Sequence, residues 1–178
     1  MKTIKLTFAL LLVSTIAAIS QPVLEPLAPD GFVTLEQIVN DFSNSETAAL
    51  QKYNGMRICV HGRVGTVAPS KDSSGELLAV HMQLPDRPTP DVKALFNADF
   101  IPSPVVAVAD NDTKATVYHA DWNGNLSDQS SFIVPGVVVA IRGTFDHFVA
   151  GDIILKNSFM LAPDVLERKL SEHGLATK

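Results

Sequence analysis

The stretch from Asn54 to Val67, NGMRICVHGRVGTV, constrains the fold more than any other part of the chain. Ile58, Val60 and Val64 alternate with Arg57, Cys59, His61 and Arg63. A period of two is that of a β-strand with one apolar face and one polar face. Gly62 and Gly65 interrupt this strand, which spans about Arg57 to Val67. Glycine weakens a strand, so it is placed where a sheet must bend or where another backbone comes close. A long amphipathic strand broken by glycines belongs to a sheet that curls on itself. Its outward face is also unusual, with two arginines and a histidine where a solvated strand ordinarily mixes Thr, Lys, Glu and Ser.

The remaining strands are read around this one. Strand two runs from about Glu76 to Leu84, with Leu78, Val80, Met82 and Leu84 on one face and Ala79, His81 and Gln83 on the other. A hairpin loop, PSKDSSG, joins it to strand one. Pro85–Thr113 holds five prolines and no sustained period, and is read as an insertion between strands two and three. Within it DVKALFNADF suits one or two helical turns and VVAVAD a short strand. Strand three is placed at Lys114–Ala120, strand four at Val137–Phe145 and strand five at Ile153–Leu161. DWNGN turns at Asn123–Gly124, and DHFVAGD is read as a loop.

Helices flank the strands. TLEQ, from Thr34, is a capping box that opens a helix bearing Leu35, Ile38, Val39 and Phe42 at helical spacing. SNSE, Ser43–Glu46, reads as a second capping box, and Asn54–Gly55 ends the helix that follows. Pro163 stands near the start of a last helix, with Val165, Leu166 and Leu170 on one side and Gly174 after its end. Five short strands with glycines at the curl points, one helix before and one after, predict a mainly β fold. The best match is a five-stranded Greek-key barrel, the OB-fold, with a long insertion between strands two and three. The predicted organisation is a signal peptide at 1–20, a linker at 21–33, the barrel domain with its N-terminal helix at 34–162 and a C-terminal helix at 163–178.

The signal peptide rests on MKTIKLTFALLLVSTIAAIS. Lys2 and Lys5 precede a short apolar run, and Ala18 and Ser20 are small residues before a cut at Gln21. The run falls short of the roughly 20 apolar residues that a membrane span needs. A periplasmic or secreted protein follows, with no membrane span after cleavage. The chain carries 14 Lys+Arg against 19 Asp+Glu; without Lys2 and Lys5 the balance is 12 against 19, a formal charge of −7. Such a chain repels a phosphate backbone at long range, so only a local basic patch could bind one. Cys59 is the single cysteine, which excludes an internal disulfide, and its mid-strand place suits a small buried thiol.

SETAALQKYNGMRICVHGRV, residues 45–64, resembles the tRNA-anti-like family of bacterial OB-fold proteins. Glu46, Ala49, Tyr53, Gly55, Val60, Gly62 and Val64 fall in register with that family's helix-to-strand motif. GVVVAIRGTF and IILKNSFM resemble its later strands, although Ser45 and Ser158 stand where the family commonly has Asn and Cys. DWNG…VPGVVVAIRGTFD is also similar to the end of a periplasmic bacterial OB-fold family. Both resemblances imply the same architecture; the first implies no ligand or catalytic set, and the second is to a family linked to stress tolerance and cationic ligands.

The outward face supplies the candidate site. Arg57, His61 and Arg63 on strand one, His81 on strand two, Tyr118 on strand three and Arg142 on strand four would converge on the barrel's binding face. Cations around one aromatic ring suit an anionic or stacking ligand: an oligonucleotide, a nucleotide or an acidic sugar. The expected function is a non-enzymatic binding module, with an envelope protein-interaction or structural module as the alternative. No cofactor is implied. His61, His81 and His119 have no compact metal-ligand spacing, DNDT at 110–113 reads as a turn rather than a calcium loop, and Asp146 and His147 should point apart on a strand. Trp122 reads as a packing residue beside a turn.

Overall fold

Ile58, Val60 and Val64 turn inward and are buried, as their alternation predicts, while Arg57 and Arg63 stay exposed. The computed structural model describes residues 23–70, 75–97, 105–110, 114–120 and 126–175. The described elements are β1 (Phe32–Thr34), α1 (Leu35–Asn44), α2 (Glu46–Tyr53), β2 (Arg57–Pro69), β3 (Glu76–Leu84) and β4 (Arg87–Asn97). After these come β5 (Val105–Asp110), β6 (Lys114–Ala120), β7 (Leu126–Ile133), β8 (Val138–Val149), β9 (Asp152–Met160) and α3 (Pro163–Glu172). The signal peptide, with its cut after Ser20, lies outside the described residues, as do Asn123–Gly124, Trp122 and most of DNDT. Among the described residues no helix is long and apolar enough to cross a membrane.

β2 pairs antiparallel with β3, β3 with β4, β8 with β9 and β2 with β8, while β4 pairs parallel with β9. That closes a five-stranded barrel with OB-fold connectivity. The interior is filled by Ile58, Val60, Leu78, Val80, Met82, Val92, Phe96, Ile141, Ile153 and Leu155. Each such side chain contributes about 1.5–3 kcal/mol when fully buried. Ile38, Val39 and Phe42 of α1 and Tyr53 of α2 join the same core, so this helix pair packs into the barrel's interior.

Local chemistry fixes that pair. Thr34 Oγ1 accepts from the Gln37 N–H at 3.1 Å, which caps α1 as the sequence predicts. The second cap differs by two residues: Ser45 Oγ accepts from the Ala48 N–H at 3.3 Å, whereas Ser43 Oγ donates back to the Val39 carbonyl inside α1. Gly55, at φ 68°, makes the left-handed turn into β2. Phe32 and Val33, read as linker, are instead buried in β1, which pairs parallel with β2.

The barrel and the flanking helices stand as expected, but the insertion moves. The third stave is β4, Arg87–Asn97, inside the stretch read as insertion; Lys114–Ala120 is β6, outside the barrel. Two features hid β4. Pro88 and Pro90 read as breakers, yet they precede the regular ladder, which starts at Met82↔Val92 and at Asp91↔Asp152. Leu95 on the outer face also makes VKALF look apolar on both sides. The true insertion joins β4 to β8 and carries a separate three-stranded sheet, β5–β6–β7.

β8 also runs further than expected, through the stretch read as a loop, and pairs Val149 with Asp152. A two-residue turn, Ala150–Gly151, closes the hairpin with φ values of 53° and 93°. α3 lies over the outside of the opposite wall. Leu170 and Leu161 bury Phe32, Cys59 and Ala140 beneath it, with Val165, Leu166 and Phe159 packed around them.

Candidate functional site: a groove on the outer face of the barrel

The strand assignments decide which outward residues meet. α3 and β1 cover the outer face of β2 and β8, but among the described residues no helix covers the outer face of β3, β4 and β9. Ala79, Leu95 and Ile154, one from each of these strands, form a small buried apolar cluster on the outside of the wall. They floor a groove of about 360 Å³. His81 and Lys93 line it from β3 and β4, His147 from the end of β8, and Asp152 and Lys156 from β9. Ala68 and Ser70 reach it from the end of β2, and Val149 from the β8–β9 hairpin. Strands two and three of the barrel, with these two connections, are the face that OB-folds use for oligonucleotides and oligosaccharides.

A buried acid anchors one end of the groove. Asp91 is 3% exposed. Its Oδ2 meets His81 Nδ1 at 3.2 Å and accepts from Gln83 Nε2 at 3.1 Å. The parallel register sets Asp152 beside Asp91. Burial pushes the Asp91 carboxyl up, but the hydrogen bonds of His81, Asp152 and Gln83 outweigh it and hold that carboxyl below its ordinary value. Asp152 moves the other way: burial, then the hydrogen bond and charge of Asp91, raise it. The pair thus has one member that keeps its charge and one that holds a proton more readily. At the other end, a register shift between Phe145 and His147 lets Asp146 and His147 bond to each other instead of pointing apart, and Lys156 Nζ reaches Asp146 at 3.2 Å.

The structure does not gather the predicted residues into one face. His81 lies in the groove. His61 is five residues along β2 from Thr66, the partner of His81, a rise of about 16 Å. The His61 ring instead stacks 6.0 Å from Phe32, whose other neighbour is His173 at 4.4 Å, and burial lowers the His61 imidazole below its ordinary value. Arg57 sits 5.4 Å from the Phe159 ring, and Arg142 donates to the Asp30 carbonyl at 3.5 Å. Arg63 donates to the Gly136 carbonyl beside the β7–β8 turn. Tyr118 belongs to β6 in the inserted sheet, and its side chain lies outside the described residues, as does that of His119. Among the described residues no three His, Cys, Asp or Glu side chains group as a metal site.

Sequence reasoning missed Asp91, Lys93, His147, Asp152 and Lys156. The signal for two of them was present: Asp91 and Lys93 alternate with Val92, Ala94 and Phe96. Cys59, read as a small buried thiol, is on the other wall and fully buried, and burial pushes its thiol up to about 11 against the opposing pull of Arg142.

No protein-family model matches the chain, and no curated protein matches it. The chain is similar to the crystal structure of a Klebsiella pneumoniae lipoprotein provisionally named as nucleic acid-binding. The two are 13% identical over 74% of this chain and 91% of that one, with a TM-score of 0.48.

Proposed function

We propose that this chain is an exported, non-enzymatic binding module whose groove on β3, β4 and β9 takes an anionic ligand. One observation carries the reading: an apolar floor flanked by Lys93, Lys156 and two imidazoles, on the barrel face that OB-folds commonly use. The floor suits the flat face of a sugar ring, and the lysines suit its charged groups. Among the described residues no Phe, Tyr or Trp lines the groove. Single-strand binders ordinarily stack bases on such rings, so an acidic oligosaccharide fits better than an oligonucleotide. The tRNA-anti-like resemblance belongs to the same proposal, supported by the barrel and by the Glu46–Val64 segment at its start. The test is calorimetric titration with an oligouronate and with an oligodeoxythymidine of equal charge. The oligouronate should bind more tightly, and Lys93→Gln should weaken it. Equal affinity of Lys93→Gln and the unaltered chain would overturn the proposal.

A second reading has its own observation. Val134, Val137 and Val138, at the turn from β7 to β8, are 40%, 42% and 48% exposed. A cluster of exposed valines suits contact with another envelope protein. Replacing all three with serine would abolish such a contact and leave oligouronate binding intact.

A further inference from the structure

The covered wall of the barrel holds a second cleft, of about 160 Å³, between β2, β8 and the segment Leu27–Gly31. Gly31 makes it. With φ at 75°, a Cβ at this position would stand 2.5 Å from the Arg57 carbonyl oxygen. Only glycine lets the segment lie this close. Its carbonyl then accepts from the Cys59 N–H at 2.8 Å, and its own N–H donates to the Ala28 carbonyl at 2.8 Å.

Arg57 and Arg142 both line this cleft, the Arg57 guanidinium 5.4 Å from the Phe159 ring and Arg142 donating to the Asp30 carbonyl at 3.5 Å. The antiparallel register pairs Arg57 with Thr144 and Cys59 with Arg142. The two arginines are therefore diagonal neighbours on one face, with Cα atoms about 7–8 Å apart. Neither forms an ion pair with a carboxylate among the described residues. Asp30 also lines the cleft, but its charge is already matched. Its Oδ2 meets Lys169 Nζ at 2.6 Å and His173 Nε2 at 3.2 Å, and its Oδ1 accepts from the Phe32 N–H at 3.1 Å. Two like charges thus stand together with no carboxylate paired directly to either among the described residues, beside the apolar side chains of Leu27, Pro29 and Met56.

We propose that the Arg57–Arg142 cleft is a binding site for a phosphate monoester with a small apolar substituent. Guanidinium forks match the oxygens of a tetrahedral dianion, and a dianion relieves the repulsion between them. The apolar side chains receive the substituent. This site is independent of the groove on β3, β4 and β9.

The test uses the full chain labelled with nitrogen-15, titrated with phenyl phosphate and with inorganic phosphate. Phenyl phosphate should give saturable shifts of the Gly31, Met56 and Arg57 amides and bind several-fold more tightly than phosphate. Arg57→Gln and Arg142→Gln should each weaken it by about tenfold, the loss of one charge-assisted contact. Lys93→Gln, in the separate groove, should leave the phenyl phosphate shifts of Gly31, Met56 and Arg57 in place. Arg57 is exposed, so Arg57→Gln decides the matter even if Arg142→Gln fails to fold. The proposal is overturned by the absence of saturable shifts into the millimolar range, by shifts confined to the Lys93 groove, or by unaltered affinity in Arg57→Gln.

Discussion

Asp41 shows how a buried charge is kept in this fold. It is 7% exposed, and its Oδ2 accepts from both Lys52 Nζ and Tyr53 Oη at 2.6 Å. Burial first, then the bond to Asp41, raise the Tyr53 phenol well above its ordinary value. Tyr53→Phe keeps the ring in the core but removes one donor from a buried carboxylate. It should cost about 1.5–3 kcal/mol in urea denaturation. Asp152 makes the opposite prediction. Its folded value is raised above the unfolded one, about 3.9. As pH rises past that point the unfolded state ionises first, so the native state loses stability until the folded carboxyl also ionises. That cost grows as pH rises above the unfolded value. Asp152→Asn removes it and leaves an amide to donate to Asp91. The melting temperature should rise at pH 7 by up to about 2–4 °C, and the gain should vanish near pH 3. No gain at pH 7 would mean that Asp91 and Asp152 do not oppose each other.

Among the elements, α1 and β2 meet at a tight junction. A Cβ on Gly62 would stand 2.6 Å from Leu35 Cβ and 3.2 Å from Met82 Cε. Gly62→Val should therefore destabilise by about 1–3 kcal/mol through overpacking, read as a lower urea midpoint. The elements with a clean period were legible beforehand: α1, β2, β3 and α3 all bury the faces that their spacing assigns. β4 was not, because proline is forbidden only where a ladder needs its missing N–H, and that depends on partners a sequence does not display. The end of β8 was hidden by Asp146 and His147 in succession, a pattern that only a register shift permits in a strand. Its turn was hidden because Ala150, not Gly or Asn, takes a positive φ. Losing β4 removed most of the groove from view, so among the described residues of the predicted site only His81 lines it.

At the scale of the whole molecule, the barrel has one open wall and one covered wall. The cover is α3, held by Leu170 from within and by Lys169 and His173 on Asp30 at its edge. These contacts pull the Asp30 carboxyl below its ordinary value against the upward push of burial, so their contribution is present above about pH 4 and is lost as pH falls further. Cys59 reports the cover's position, because its thiol reacts only after α3 lifts. Labelling with a disulfide reagent at pH 8 should be slow, and several-fold faster in Lys169→Ala. Equal rates would show that Lys169 does not hold the helix.

The parallel seam between β4 and β9 has a temporal meaning. Residues 152–160 supply the last stave, so everything synthesised before them leaves a ring with a gap. Until they arrive, β4 offers a bare row of amides and carbonyls that any extended peptide could occupy. Completion is thus deferred to β9, and a product that stops short of this one strand would remain an open, adhesive sheet.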